Sequence, residues 1–67
     1  MDKNKRRALD MGWYILTYGA TFKEVAKAFK VDKATVRNDI TKRLPEISTT
    51  MAKDVYGVLE SIGENIN

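Results

Sequence analysis

Two short amphipathic stretches of this chain are joined by only three residues, Lys30-Val31-Asp32. A link that tight forces two helices to cross steeply, where a long helical hairpin would run antiparallel. The first stretch opens with Thr21-Phe22-Lys23-Glu24. This is the form of a capping box, in which the threonine oxygen and the glutamate carboxylate each satisfy a free amide of the first turn. Its apolar residues Phe22, Val25, Ala26 and Phe29 share one face. Asp32 is a good N-cap for the second stretch, because its carboxylate accepts from free amides and complements the positive end of the helix dipole. Val36, Ile40 and Leu44 then step by four along the buried side. Ala26, Val31 and Val36, each five residues from the next, fit a helix-turn-helix: small at the crossing, apolar at the turn, inward-pointing beyond it. The second helix is predicted over residues 33 to 44, because Pro45 disfavours helical backbone at Leu44.

Two further helices complete the reading. The first runs from about residue 4 to residue 18 on the stripe Ala8, Leu9, Gly12, Ile15 and Leu16, and Gly19 stops it. Gly12 inside that helix costs about 1 kcal/mol relative to alanine, which predicts a close approach by another helix that a side chain would block. Trp13, Tyr14 and Tyr18 lie mostly off the stripe and are predicted to form a second packing face for the fourth helix. That helix spans about residues 49 to 64, capped by Ser48-Thr49-Thr50, with the stripe Met51, Val55, Val58, Leu59, Ile62 and Ile66. Its acids lie off the stripe, so it is expected to cover the core of the other three. No alternating run suggests a strand. The expected fold is all-α: one small tri-helical helix-turn-helix domain over residues 1 to 67, with the helix-turn-helix proper at about 21 to 44 and an added C-terminal fourth helix.

Composition narrows the chemistry. The chain has no cysteine and no histidine, which removes thiolate nucleophiles, imidazole bases and the usual zinc ligands together. Its carboxylates are scattered and no glycine-rich phosphate loop follows a strand, so neither catalytic nor metal-binding residues are expected, and no cofactor. It also lacks an apolar run of membrane-spanning length and a signal-peptide core, so a cytoplasmic protein is expected. The net charge of +3 is unevenly placed. Residues 1 to 44 hold eleven Lys/Arg against five acids, and residues 45 to 67 hold one, Lys53, against four. A basic body with an acidic end suggests a polyanionic partner for the first part.

Burying Val36 and Ile40 leaves Lys33, Ala34, Arg37, Asn38 and Thr41 facing outward. Arginine can donate two bonds to guanine O6 and N7, asparagine can pair with adenine N6 and N7, and an alanine or threonine methyl can touch the thymine methyl. These five are the candidate base-reading residues. Thr21, Lys23, Lys27, Thr35, Lys42 and Arg43 are better placed for backbone phosphates, which set register without reading sequence. Apart from the capping Asp32 and the single acid Asp39, this face is expected to be positive or neutral. The cluster Lys3, Lys5, Arg6 and Arg7 reads equally as an arm on phosphates or in the minor groove and as a soluble terminus.

The stretch TFKEVAKAFKVDKATVRNDITKRLPEI resembles the helix-turn-helix of the stage III sporulation protein D family, small bacterial transcription regulators. The similarity extends back through Leu9, Met11, Gly12, Tyr14 and Ile15 and covers roughly residues 5 to 60. The phrase VDKATVRNDITKRL is also similar to recognition helices of other bacterial repressors. The resemblance implies sequence-specific binding to double-stranded DNA in the bacterial nucleoid, regulation of promoters and a role in sporulation. Lys33, Thr35, Val36, Asp39 and Leu44 match and carry over a recognition helix for the major groove. Two departures stand out. The turn usually has a glycine where this chain has Lys30, so Lys30 is expected either to adopt a left-handed conformation or to shift the turn. Members also continue into a basic tail where this chain has Ser61-Ile62-Gly63-Glu64-Asn65-Ile66-Asn67, so any DNA contact of that tail is expected to be lacking.

Two other functions compete. A protein-interaction module would dock its exposed helix or its acidic fourth helix on RNA polymerase or a larger regulator. An architectural protein would bind DNA without base preference. Monomer and homodimer both remain open, the latter through Met51, Val55, Leu59 and Ile62.

Overall fold

The computed structural model describes residues 2–66, and all the regular secondary structure among them is helical, with no strand. We label the helices α1 to α4. α1 spans Lys3–Tyr18. Asp2 caps it by accepting from the Lys5 amide at 2.8 Å, and Gly19 closes it in the left-handed region at φ 61°. α2 spans Phe22–Phe29, and both halves of the Thr21/Glu24 capping box are formed. α3 is one continuous rod over residues 33–47, built from an α-helical segment Lys33–Asn38, a wider π-helical turn Asp39–Arg43 and a last α-helical segment Leu44–Ile47. α4 spans Thr49–Ser61, with Ser48 Oγ accepting from the Met51 amide at 3.1 Å.

In the tight link between α2 and α3, Lys30 adopts the left-handed conformation, at φ 59°. The Lys30 amide donates to Lys27 O and the Val31 amide to Ala26 O at 3.0 Å. These are the two bonds of a Schellman motif, which demands a left-handed residue at this position. An L side chain there costs roughly 1–2 kcal/mol, and the Lys30 side chain is exposed. Lys30→Gly is therefore expected to stabilise the fold by about 1 kcal/mol once the greater freedom of glycine in the unfolded chain is deducted. A thermal melt followed by circular dichroism should rise by about 4–8 °C.

Where the sequence ends α3 at Leu44, the backbone instead stays helical through Pro45 to Ile47. The π-turn explains how. Proline's ring collides with the carbonyl four residues back in a regular α-helix, and widening the turn by one residue relieves that crowding. Leu44 N–H accordingly reaches back five residues to Asp39 O. The carbonyl of Ile40 then has no helical partner: Leu44 is committed elsewhere, and the next residue, Pro45, has no N–H. Tyr56 of α4 supplies the missing donor, its hydroxyl lying 3.2 Å from Ile40 O.

One core joins all four helices: Met11 and Ile15 of α1, Phe22 and Val25 of α2, Val36, Ile40 and Leu44 of α3, and Val55 and Leu59 of α4 are all fully or almost fully buried. The buried face of α1 is turned slightly from the sequence stripe, with Met11 inside and Leu9 and Leu16 only half-buried. Gly12 is the close approach its position suggested. A Cβ there would lie 2.7 Å from Met51 Cε and 3.2 Å from Leu44 Cδ2. The aromatic expectation needs correction. Tyr14 turns toward α2, meeting Phe29 edge-on at 5.8 Å and Tyr18 at 4.8 Å, while Trp13 is 58% exposed. The ring that does serve α4 is its own, Tyr56. Ile62, assigned to the α4 stripe, lies beyond the helix and is exposed.

Candidate nucleic-acid interface

α3 presents its sequence-assigned readers in two grades. Lys33, Ala34 and Arg37 are exposed, and Asn38 and Thr41 are half-buried. None is sealed under its neighbours. Asp32 fixes the start of the rod by accepting from the Thr35 amide at 2.7 Å. The Thr35 hydroxyl and amide hold the Asp32 carboxyl below the ordinary aspartate range, as Thr21 does for Glu24. Depressed carboxyls add their stability above the unfolded-state pKa near 4 and lose it as pH falls through the folded value. Both caps are therefore ionised and in place at neutral pH. Thr41 donates its hydroxyl proton to Arg37 O at 2.7 Å, which leaves the methyl and an oxygen lone pair for any partner.

Arg37 is exposed but engaged. Its Nη2 donates to Asn65 O at 3.0 Å, and its guanidinium lies 5.9 Å from the centre of the Phe22 ring. The same C-terminal segment reaches α2, where the Glu64 carboxylate accepts from the Phe22 amide at 2.7 Å. A turn at Gly63, φ 79°, brings it there, with the Glu64 amide donating to Leu59 O. Ile66 packs against the core.

Among the sequence-assigned phosphate residues, Lys23 and Lys27 on α2 and Lys42 on α3 are exposed. Thr35 is half-buried, and so is Thr21, whose oxygen is the α2 cap. Arg43 is half-buried and paired, its Nη1 donating to Asp39 Oδ1 at 2.7 Å. Asp39 itself corrects the sequence reading: it is no acid on the outer face but a completely buried carboxylate. Arg7 of α1 approaches from the other side, with Nε 2.6 Å from Oδ2 and Nη2 3.3 Å from Oδ1. That pairing raises the pKa of the Arg7 guanidinium further above its usual value. The basic N-terminus is likewise no arm. Lys3, Lys5, Arg6 and Arg7 form the first turns of α1, and Arg6 pairs with Asp10. The Asp39/Arg43 pair had one visible signal, its four-residue spacing along a helix. The contacts of Arg7, Glu64 and Asn65 had none, because their partners lie 32, 42 and 28 residues away in the chain.

No helix among the described residues is long and apolar enough to cross a membrane. Among the described residues, four helices without a strand, with α2 and α3 joined through a three-residue turn and α3 left open on its cationic side, make a helix-turn-helix protein. The model of the family "Stage III sporulation protein D" matches residues 1–65. The chain is also 41% identical over 59 residues to Stage III sporulation protein D of Bacillus subtilis (strain 168), a match covering 88% of this chain and 63% of that protein. It belongs to the Stage III sporulation protein D family. The match spans somewhat under two thirds of the length of that relative. No solved structure matches the chain.

Proposed function

We propose that this chain is a sequence-specific DNA-binding regulator of transcription in sporulating bacteria, acting in the cytoplasm on the nucleoid, with α3 laid in the major groove. The observation that carries the reading is the face of α3. Lys33, Ala34, Arg37, Asn38 and Thr41 are all at least partly open to solvent, and the one acid among them in sequence, Asp39, is buried. Apart from the exposed cap Asp32, a duplex approaching α3 thus meets cations and neutral groups, flanked by Lys23 and Lys27 on α2. Family membership supports a sporulation role.

Selection of sites from a random duplex pool tests this directly. An enriched motif is expected, and its symmetry decides between a dimer on a palindrome and a monomer on a half-site. Arg37→Ala should relax preference at one position by about 1–3 kcal/mol. Lys27→Ala should instead weaken all sequences alike and flatten the dependence of log K on log salt by about one. A pool that binds without enrichment points to an architectural protein. A pool that is not retained at all favours the protein-interaction reading, with RNA polymerase as the first partner to try. The exposed Trp13 and Tyr18 rings, 58% and 71% accessible, favour that second reading.

A further inference from the structure

We propose that Arg7 and Arg43, bridged by Asp39, form a clamp for a DNA backbone phosphate on the flank of α3 opposite Arg37. The inference rests on the reading that α3 meets a duplex, and it adds α1 to the binding surface.

The argument begins with the carboxylate. Asp39 has no accessible surface, yet both oxygens are satisfied, by Nε and Nη2 of Arg7 and by Nη1 of Arg43. The two arginine side chains, by contrast, are 30% and 36% exposed. Each therefore turns one edge inward to the shared anion. Arg7 Nη1 and Arg43 Nε and Nη2 make no hydrogen bond to Asp39, and the side chains that carry them are partly open to solvent. Two guanidinium groups around one carboxylate leave a positive charge held in place from two different helices; the exposed Asp2 carboxylate, whose pKa is lowered by the Lys5 amide and in smaller part by the charge of Arg43, offsets part of it. Lys42, adjacent to Arg43, and Lys3, one turn before Arg7, are both exposed and reinforce the field.

Position on the rod supplies the second step. Asp39 and Arg43 share one flank of α3, joined by their ion pair and facing Arg7 of α1, while at about 100° per residue along the preceding α-helical segment Arg37 lies on the other, against Phe22 of α2. Ala34 and Asn38 fall between them. A helix of about 10–12 Å diameter in a groove about 12 Å wide brings its two flanks to the two phosphate ridges. One ridge then meets the α2 side, with Lys23 and Lys27, and the other meets the clamp. Because Asp39 has already fixed both forks, little side-chain freedom remains to be lost on binding.

Asp39 is thus a positioning residue whose removal has a counter-intuitive sign. Asp39→Asn makes the protein one unit more positive, and simple attraction to a polyanion would tighten binding. The clamp requires the reverse. The test uses the whole chain and a duplex of arbitrary sequence, with affinity measured across a salt series at low temperature and helix content checked for each variant. Arg7→Gln keeps Asp39 neutralised through Arg43. It is expected to weaken binding about fivefold to tenfold and to flatten the salt slope by about 0.9, the value of one phosphate. Arg7→Lys should restore the slope and only part of the affinity, since it keeps the charge and loses the fork. Asp39→Asn should weaken binding several-fold with its helix content intact. The clamp is overturned if Arg7→Gln leaves the slope unchanged, if Asp39→Asn tightens binding, or if the parent chain ignores the duplex at low salt. Failure of the pool selection alone removes base reading and leaves this result standing, because the arbitrary duplex presents the same phosphates.

Discussion

Replacing Phe22 with alanine is expected to cost about 3–5 kcal/mol of stability, the range for emptying a buried aromatic site. Phe22 is the largest of the fully buried side chains and 1% exposed. It is also the first residue of α2, so its loss opens the core where three other contacts converge. Its amide is held by Glu64, its ring lies beneath Arg37, and the preceding Thr21 is the cap. A chain of 67 residues has about 3–10 kcal/mol in total. The variant should therefore be largely unfolded or close to it at 25 °C, with urea denaturation showing little or no native baseline. A well-resolved native baseline with a loss under about 1 kcal/mol would mean that Phe22 is not the keystone its burial indicates.

Asp39→Ala is expected to be nearly as damaging, by about 2–3 kcal/mol, and to lower the melting temperature by about 10–20 °C. Removing one member of a buried ionic group usually costs 3–5 kcal/mol, because the remaining charge is stranded. Here the survivors are two arginines about one-third exposed, which can swing into water, so the expected cost falls at or just below the bottom of that range. The control is a triple replacement, Arg7→Met with Asp39→Leu and Arg43→Met. Exchanging a whole buried ionic group for apolar residues is often neutral, so the triple variant should recover most of the lost stability. A single variant as stable as the parent would show that the triad does not hold α1 to α3. Paired melts of the two proteins check this.

Local signals in the sequence proved informative wherever the physics is local. The capping box at Thr21, the Asp32 cap, the glycine stop at Gly19 and the inward step Val36, Ile40, Leu44 each depend on neighbours within four residues, and each is found as read. The features that escaped are those in which a distant group overrides a local preference. Pro45 does disfavour continuation of a helix, but a π-turn accommodates it, and the carbonyl that turn leaves over is satisfied by Tyr56, sixteen residues away. Asp39 resembles one more surface acid until Arg7 arrives from α1. Tyr14 was assigned to the wrong neighbour because periodicity shows which face a residue occupies, not which helix comes to meet it. For the interface, the residue types on α3 were legible and their prior engagements were not.

The tail contact at Arg37 changes what binding at that residue means. An acceptor that approaches along the Nη2–H already donated to the carbonyl of Asn65 must first displace that carbonyl. Contact there is then an exchange of one hydrogen bond for another, and its net gain is only the difference between the two. A poorly aligned partner gains nothing by the swap, whereas a well-aligned pair of acceptors gains a second bond. The chain thus carries its own standard of comparison, against which each incoming surface is weighed before Arg37 lets go.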